Sequence, residues 1–449
     1  MDIIIAMSVS FCILILSVYK QIFIGYPLIF IFFIFAVIAQ RKGFDFKEIM
    51  TMAYKGGKKS FVVLKIFFLI GAITAIWMSS GTVPGIVYYG IKILNPKLFI
   101  LYSFLSACVV SFLLGTSFGT ASTVGVAFMV MAKSGNVNIH VAAGAIIAGA
   151  YFGDRCSPMS SSANLVATLT DSDLYKNIKN MFKSAAIPFI ISVILYTIIS
   201  FKYPLNFLGN SMDAEIIKIF TINFIVLIPA AIILIFAMFK IDVKISMLVS
   251  IIIASVISIV IQGYNLEQIL KYMLLGFKLE NHGPLEKIIR GGGLISMGKA
   301  ILIVFVSSSL GGIFEGTGIL KNIENLLMNV KSRVGLFFAT IIVSIATSAF
   351  GCNQSISIIL TSQLTKKAYA NKNIDPHELA MDIENTAVVI APLIPWNIAG
   401  LVPATTLMVS GAGFIPYCFY LYLIPICSII HYKLRFNSDK VYPPIIQKS

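Results

Sequence analysis

Charge is scarce in this chain. Of 449 residues only 12% are Asp, Glu, Lys or Arg, against about 25% in a soluble domain, while 58% are hydrophobic and the mean hydropathy is +0.92. That excludes an ordinary soluble enzyme and points to an all-α polytopic membrane protein. A membrane β-barrel is excluded too, because its short alternating segments are absent from the long continuous apolar runs. The six cysteines form no CxxC and no metal-ligand spacing; they read as small buried hydrophobes, with Cys156 and Cys352 singled out by their place in interrupted regions. The four histidines, His140, His282, His377 and His431, are scattered, and neither HExxH nor GxSxG occurs, which argues against an intramembrane enzyme. Acidic residues are fewer than basic ones, 19 against 34, giving net charge +15. The basic residues cluster in short stretches beside apolar runs, so the charge reads as membrane orientation and not as nucleic-acid binding. No basic segment precedes residues 3–19 and no small-residue cleavage site follows, so they read as a retained span.

What is present is a series of about 11–13 apolar runs, two of them interrupted. Gly149 to Asn164 carries Gly153, Asp154, Arg155, Ser157, Pro158, Ser160, Ser161 and Ser162; Glu384 to Asn397 carries Asn385, Thr386, Pro392, Pro395 and Trp396. A helix broken at membrane depth frees backbone groups that must line a cavity or hold an ion. Paired breaks in two halves of a chain mark the binding site of a secondary transporter. Basic residues at 41–59, 176–183, 240–244 and 433–448 place those segments, and the C-terminus, in the cytoplasm. A repeat is suggested by matched landmarks: Gly56 and Gly81 against Gly291 and Gly316, Thr116-Ser117 against Thr347-Ser348, and Pro158 against Pro392. With one copy starting on each side, the repeats would be inverted. The expected organisation is a helical hairpin over 1–43, a first repeat over 44–183, connecting helices over 184–264, a second repeat with re-entrant hairpins over 265–411, and a C-terminal helix and tail over 412–449.

Ionisable residues within apolar segments are costly and so mark function. Those inside the runs are Asp154, Arg155, Glu315, Asp382 and Glu384; Lys65 and Lys299 lie nearer run ends, where they snorkel. Pro158 removes a donor and disfavours helix at Ser157, and the neighbouring hydroxyls and Asn164 add oxygens suited to a hard cation such as Na+. Asp154 and Arg155 either serve that site or cap a helix end as a pair. Glu384 has no Lys or Arg within eight positions, so it either loads and releases a proton or stays protonated as a structural residue hydrogen-bonded to backbone. Asn353, Gln354 and Asn397 hold an ion or polar solute, or join helices. Trp396 is either a gate or an interfacial anchor. Gly153, Pro158, Pro392 and Pro395 are the hinge positions.

The Gly149–Asn164 segment resembles the Gly-Asp-x-x-Ser-Pro-x-Ser-Asp-Thr-Thr-Asn signature of the sodium/proton antiporter NhaC family. Glu384–Asn397 resembles its second signature, and Gly115-Thr116-Ser117-Phe118-Gly119-Thr120 its GTS-aromatic-GT element. The resemblance runs from about residue 44 to 432. It implies the ion-transporter superfamily fold, cation-coupled antiport in a bacterial cytoplasmic membrane with Na+ and H+ as the ions and no resident cofactor, and, by analogy, a homodimer. Two family carboxylates are neutral here, at Ser161 and Asn385. The leading expectation is Na+/H+ exchange, with Na+ at Asp154, Asn164 and Glu384 and polar ligands from Ser157, Ser161, Thr386 and Asn397. The rival is Na+- or H+-coupled transport of an amino acid or carboxylic acid, using Arg155, Asn353, Gln354 and Trp396 and favoured by the lost charges. A channel fits less well than a single occluded site.

Overall fold

The computed structural model describes residues 2–20, 22–206, 212–239, 241–279, 289–318, 327–409 and 412–435. Lys240, Lys440 and Lys448, within the basic stretches used above for orientation, lie outside the described residues. The chain is almost entirely helical. The β-structure among the described residues is a ribbon of two-residue strands, β1 (Phe277–Lys278) and β2 (Arg290–Gly291), paired antiparallel.

Two apolar helices, α1 (Asp2–Tyr19) and α2 (Gly25–Arg41), lead into α3 (Phe46–Ser79). A capping box starts α3: the Asp45 amide donates to Glu48 Oε2 at 2.9 Å. At 34 residues, α3 is about 50 Å long, more than the ~30 Å hydrocarbon thickness. Its first turns, with Lys47, Lys55 and Lys58, thus extend the helix beyond spanning length. The Gly56 landmark is a helix crossing. A Cβ on Gly56 would stand 2.3 Å from the Ser308 carbonyl oxygen and 2.7 Å from Gly312 Cα, so the two backbones touch where only glycine fits.

After a 65° bend, α4 (Thr82–Ile93) precedes α5 (Phe99–Leu114). Then come α6 (Ser117–Thr120), a π turn over Ala121–Gly125 and α7 (Val126–Ser134). The first interrupted segment is α8 (Ile139–Cys156), a break, and α9 (Ser161–Thr170); α10 (Leu174–Lys202) follows. The connecting region is α11 (Met212–Ile219), α12 (Ile228–Met238), α13 (Val243–Val260) and α14 (Leu266–Leu275). The run 217–238 is thus not one helix: Asn223 stops it and caps a short 3-10 turn through its side chain. The last part comprises α15 (Gly298–Thr317), α16 (Arg333–Gly351), α17 (Gln354–Ala370), α18 (Pro376–Ile383), a π turn over Glu384–Val388, a break, α19 (Ile398–Thr406) and α20 (Phe419–Arg435). Pro96–Leu114, Leu174–Lys202, Ile295–Thr317 and Arg333–Gly351 are each long and apolar enough to cross a bilayer. With the broken and shorter apolar helices they make a polytopic membrane protein.

Positive-φ residues recur 237 positions apart (318 less 81, 352 less 115): Gly81 with Gly318, Gly115 with Cys352, Asn136 with Asn373, and Asp171 with Met408. Extended residues that start helices match too, Thr116 with Asn353 and Ser160 with Asn397. On this spacing Pro158 pairs with Pro395, not Pro392, and Gly81 with Gly318, not Gly316. Thr116 pairs with Asn353, not Thr347.

Candidate functional site

Each break restarts with a polar cap. At the first, Ser160 Oγ accepts from the Ala163 amide at 3.2 Å; at the second, Asn397 Oδ1 accepts from the Ala399 amide at 2.9 Å. Asn397 also donates to the Ser348 carbonyl at 2.8 Å, joining α16 to α19. The Asp154 carbonyl, freed by the break, accepts from the Ser160 and Ser162 hydroxyls. Serine therefore does what an ion was expected to do there. Ser157 is buried and its Oγ accepts from the Met159 amide. Ser161 and Asn164 face outward, and Asn164 donates to the Ser160 carbonyl at 2.7 Å. Its amide nitrogen braces the broken backbone.

The breaks meet. Gln354 Nε2 donates to Asp154 Oδ2 at 3.0 Å and to the Val388 carbonyl at 3.3 Å, bridging the first broken segment to the second. Tyr151 donates to the Ala399 carbonyl at 2.7 Å, which ties α8 to α19. Arg155 Nη2 donates to Asn385 Oδ1 and, at 2.7 Å, to Ser184 Oγ of α10; its Nη1 donates to the Met181 carbonyl at 3.2 Å. Arg155 thus clamps α8 to α10 and to the π turn through neutral acceptors, and its Nε has no partner.

Glu384 is fully buried on the π turn, and neither carboxylate oxygen has a hydrogen-bond partner. The charges of Arg155 and Asp154 act on it. A π turn widens a helix by one residue and is often found at functional sites; this one also carries buried Asn385 and Thr386. Thr386 Oγ1 donates to the Asp382 carbonyl at 2.6 Å and accepts from Ser344 at 2.9 Å.

Other expected residues lie apart from this pair. Asp382 is buried, 2.7 Å from Arg333 Nη1, and accepts from Tyr369 at 2.6 Å and Tyr432 at 2.7 Å. Arg333 was missed because it begins a helix, where an arginine reads as a solvated flank. Trp396, the candidate gate or anchor, packs inside the protein. It is buried, donates to the Ala349 carbonyl at 2.7 Å and packs edge-on against Phe11. Asn353 caps α17. Pro392 is buried beside the second break. Glu315 is exposed near the end of α15, and Lys65 and Lys299 are also exposed. Ser184 and Ser428 were missed, since a lone serine in an apolar helix carries no signal until its partner is known.

A model of the "Na+/H+ antiporter family" matches residues 149–433, which span both breaks. An uncharacterized Na+/H+ antiporter of Haemophilus influenzae is 32% identical over 419 residues, covering 90% of this chain and 89% of the relative. The Na+/H+ antiporter NhaC of Alkalihalophilus pseudofirmus is 28% identical over 424 residues, 92% and 91% of the two chains. A malate-2H+/Na+-lactate antiporter of Bacillus subtilis is 26% identical over 395 residues, 86% and 84%. With the family model covering more than half the sequence, and with the two signature segments in mutual contact, the chain belongs to the Na+/H+ antiporter family.

Proposed function

We propose that this protein exchanges Na+ for H+ across a bacterial cytoplasmic membrane. Glu384 and Asp154 are the charged groups of the site. The observation that carries the reading is Glu384: a carboxylate wholly removed from solvent, with both oxygens unpaired. Such a group is costly unless it takes up a cation or a proton, and the two compete for the same oxygens. With both carboxylates ionised against Arg155, the group holds one surplus negative charge. One monovalent cation neutralises it.

Gln354 holds Asp154, and neutral oxygens on the two breaks complete the surroundings. The 237-residue register supports two repeats of inverted orientation, which would carry the site from one side to the other. The basic residues of α10 and α20 support a cytoplasmic C-terminus. The rival, an organic solute held by Arg155, is disfavoured because the guanidinium has no exposed surface to offer a solute.

The test is a Na+ gradient imposed on proteoliposomes with an internal pH dye. Glu384→Gln is expected to reduce Na+-driven proton movement to the level of empty vesicles. Unchanged exchange would remove Glu384 from the mechanism. Stabilisation of the purified protein by an amino acid or short carboxylate, and not by Na+ or Li+, would instead favour the rival.

A further inference from the structure

A cavity of about 420 Å³ lies among α10, α18 and α20. Lys183, Cys427 and Arg435 stand on its wall, and it reaches Ser184, Asn385 and Ser428. The volume accommodates a Na+ with several waters. Arg155, with no exposed surface, is bonded to two of these cavity residues, Ser184 and Asn385. Asn385 Nδ2 in turn donates to Ser428 Oγ at 3.0 Å. Glu384 directly precedes Asn385 in the chain and is itself sealed from the cavity. Behind the cavity wall, Arg155 and its neutral acceptors Ser184 and Asn385 form a bonded set whose cation has no exposed surface.

We propose that this cavity is the cytoplasmic entrance for the ion, and that Arg155, by gripping Ser184 and Asn385, is the gate across its inner end. The grip is reversible for a physical reason. Its partners are uncharged, so release strands no buried counter-charge, and the charge of Arg155 already acts on Glu384. The inference borrows its cargo from the exchange reading, but the gate is read out by chemistry that does not depend on transport.

Two native cysteines bracket the gate. Cys427 lines the cavity, whereas Cys156 is buried beside Arg155, its Sγ 3.5 Å from Nη1. In a Cys12→Ser background, a membrane-impermeant methanethiosulfonate applied from the cytoplasmic side is expected to label Cys427 and leave Cys156 unmodified. Asn385→Ala should raise Cys156 labelling about tenfold, the equivalent of one lost hydrogen bond. Asn385→Asp, which pairs its charge with Arg155, should keep Cys156 protected. A bulky adduct on Cys427 should slow Na+-driven proton movement severalfold, and Cys427→Ser should make exchange insensitive to the reagent. Equal Cys156 labelling with and without Asn385→Ala overturns the gate. Labelling of Cys427 only from the opposite side, or full modification without effect on exchange, overturns the entrance. Should Asn385→Ala not fold, Ser184→Ala, which removes the other gripped acceptor, carries the same Cys156 comparison for the gate, and the Cys427 measurements decide the entrance. Should no Na+ exchange be found in any protein, the labelling pattern still decides the gate while the exchange reading fails.

Discussion

Buried polar side chains here divide into those that hold the protein together and those left ready for a ligand. Asp382 belongs to the first kind: Arg333, Tyr369 and Tyr432 satisfy it. Removing one partner of a buried ion pair leaves the other uncompensated, so Asp382→Asn is expected to cost about 3 kcal/mol, read as a lower unfolding midpoint in detergent. Glu384 belongs to the second kind, and its two residues' separation from Asp382 shows how little the identity of an acid says about its role. Gln354 stands between the kinds, because it supplies a hydrogen bond to Asp154 and a bridge to Val388. Gln354→Ala is expected to raise the apparent KM for Na+ by roughly tenfold, the scale of one hydrogen bond to a charged group, with a smaller effect on the unfolding midpoint. A large loss of stability at unchanged KM would make Gln354 purely structural.

Among the elements, the crossing of α5 and α8 positions the first break. A Cβ added at Gly153 would stand 2.1 Å from the Ser111 carbonyl carbon and 2.2 Å from the Phe112 nitrogen. These are backbone atoms, which cannot rotate away. Gly153→Ala therefore pushes α8 off α5 just before Asp154 and Arg155. The expected cost is about 1–3 kcal/mol, with reduced exchange, measured by thermal unfolding and by flux on the same preparation. The breaks were legible in the sequence because Pro158, Pro392 and Pro395 interrupt apolar runs, and proline cannot donate to a helix. Their capping was not legible: Ser160 and Ser162, not Ser157 and Ser161, reach the freed Asp154 carbonyl, a matter of which way a short backbone segment turns. The register of the halves was only partly legible, since Gly115 corresponds to Cys352. The shared feature is a left-handed backbone turn, and it leaves no common residue type.

For the whole molecule, the charged side chains buried among the described residues are Asp154, Arg155, Arg333, Asp382 and Glu384. Arg333 and Asp382 neutralise each other. The remaining three hold one negative charge in surplus when both acids are ionised, so one Na+ or one H+ brings the site to neutrality. Exchange is accordingly expected to move no net charge. With the potential clamped by K+ and valinomycin, the final Na+ gradient should be the same near zero and at about −100 mV. An exchanger carrying one net charge would shift it about fifty-fold over that range.

The sequence alone determined that this chain lives in a membrane, because apolar runs of spanning length have no other stable solvent. It also determined where the helices break and which family the breaks resemble, because proline and glycine act on their own local backbone. Tertiary structure alone decided that Glu384 is unpaired, that Asp382 is not, and that Arg155 is bonded to two residues of a cavity wall. Partnership of a buried charge depends on side chains hundreds of positions away, such as Gln354 for Asp154 and Asn385 for Arg155, and only packing brings those within reach.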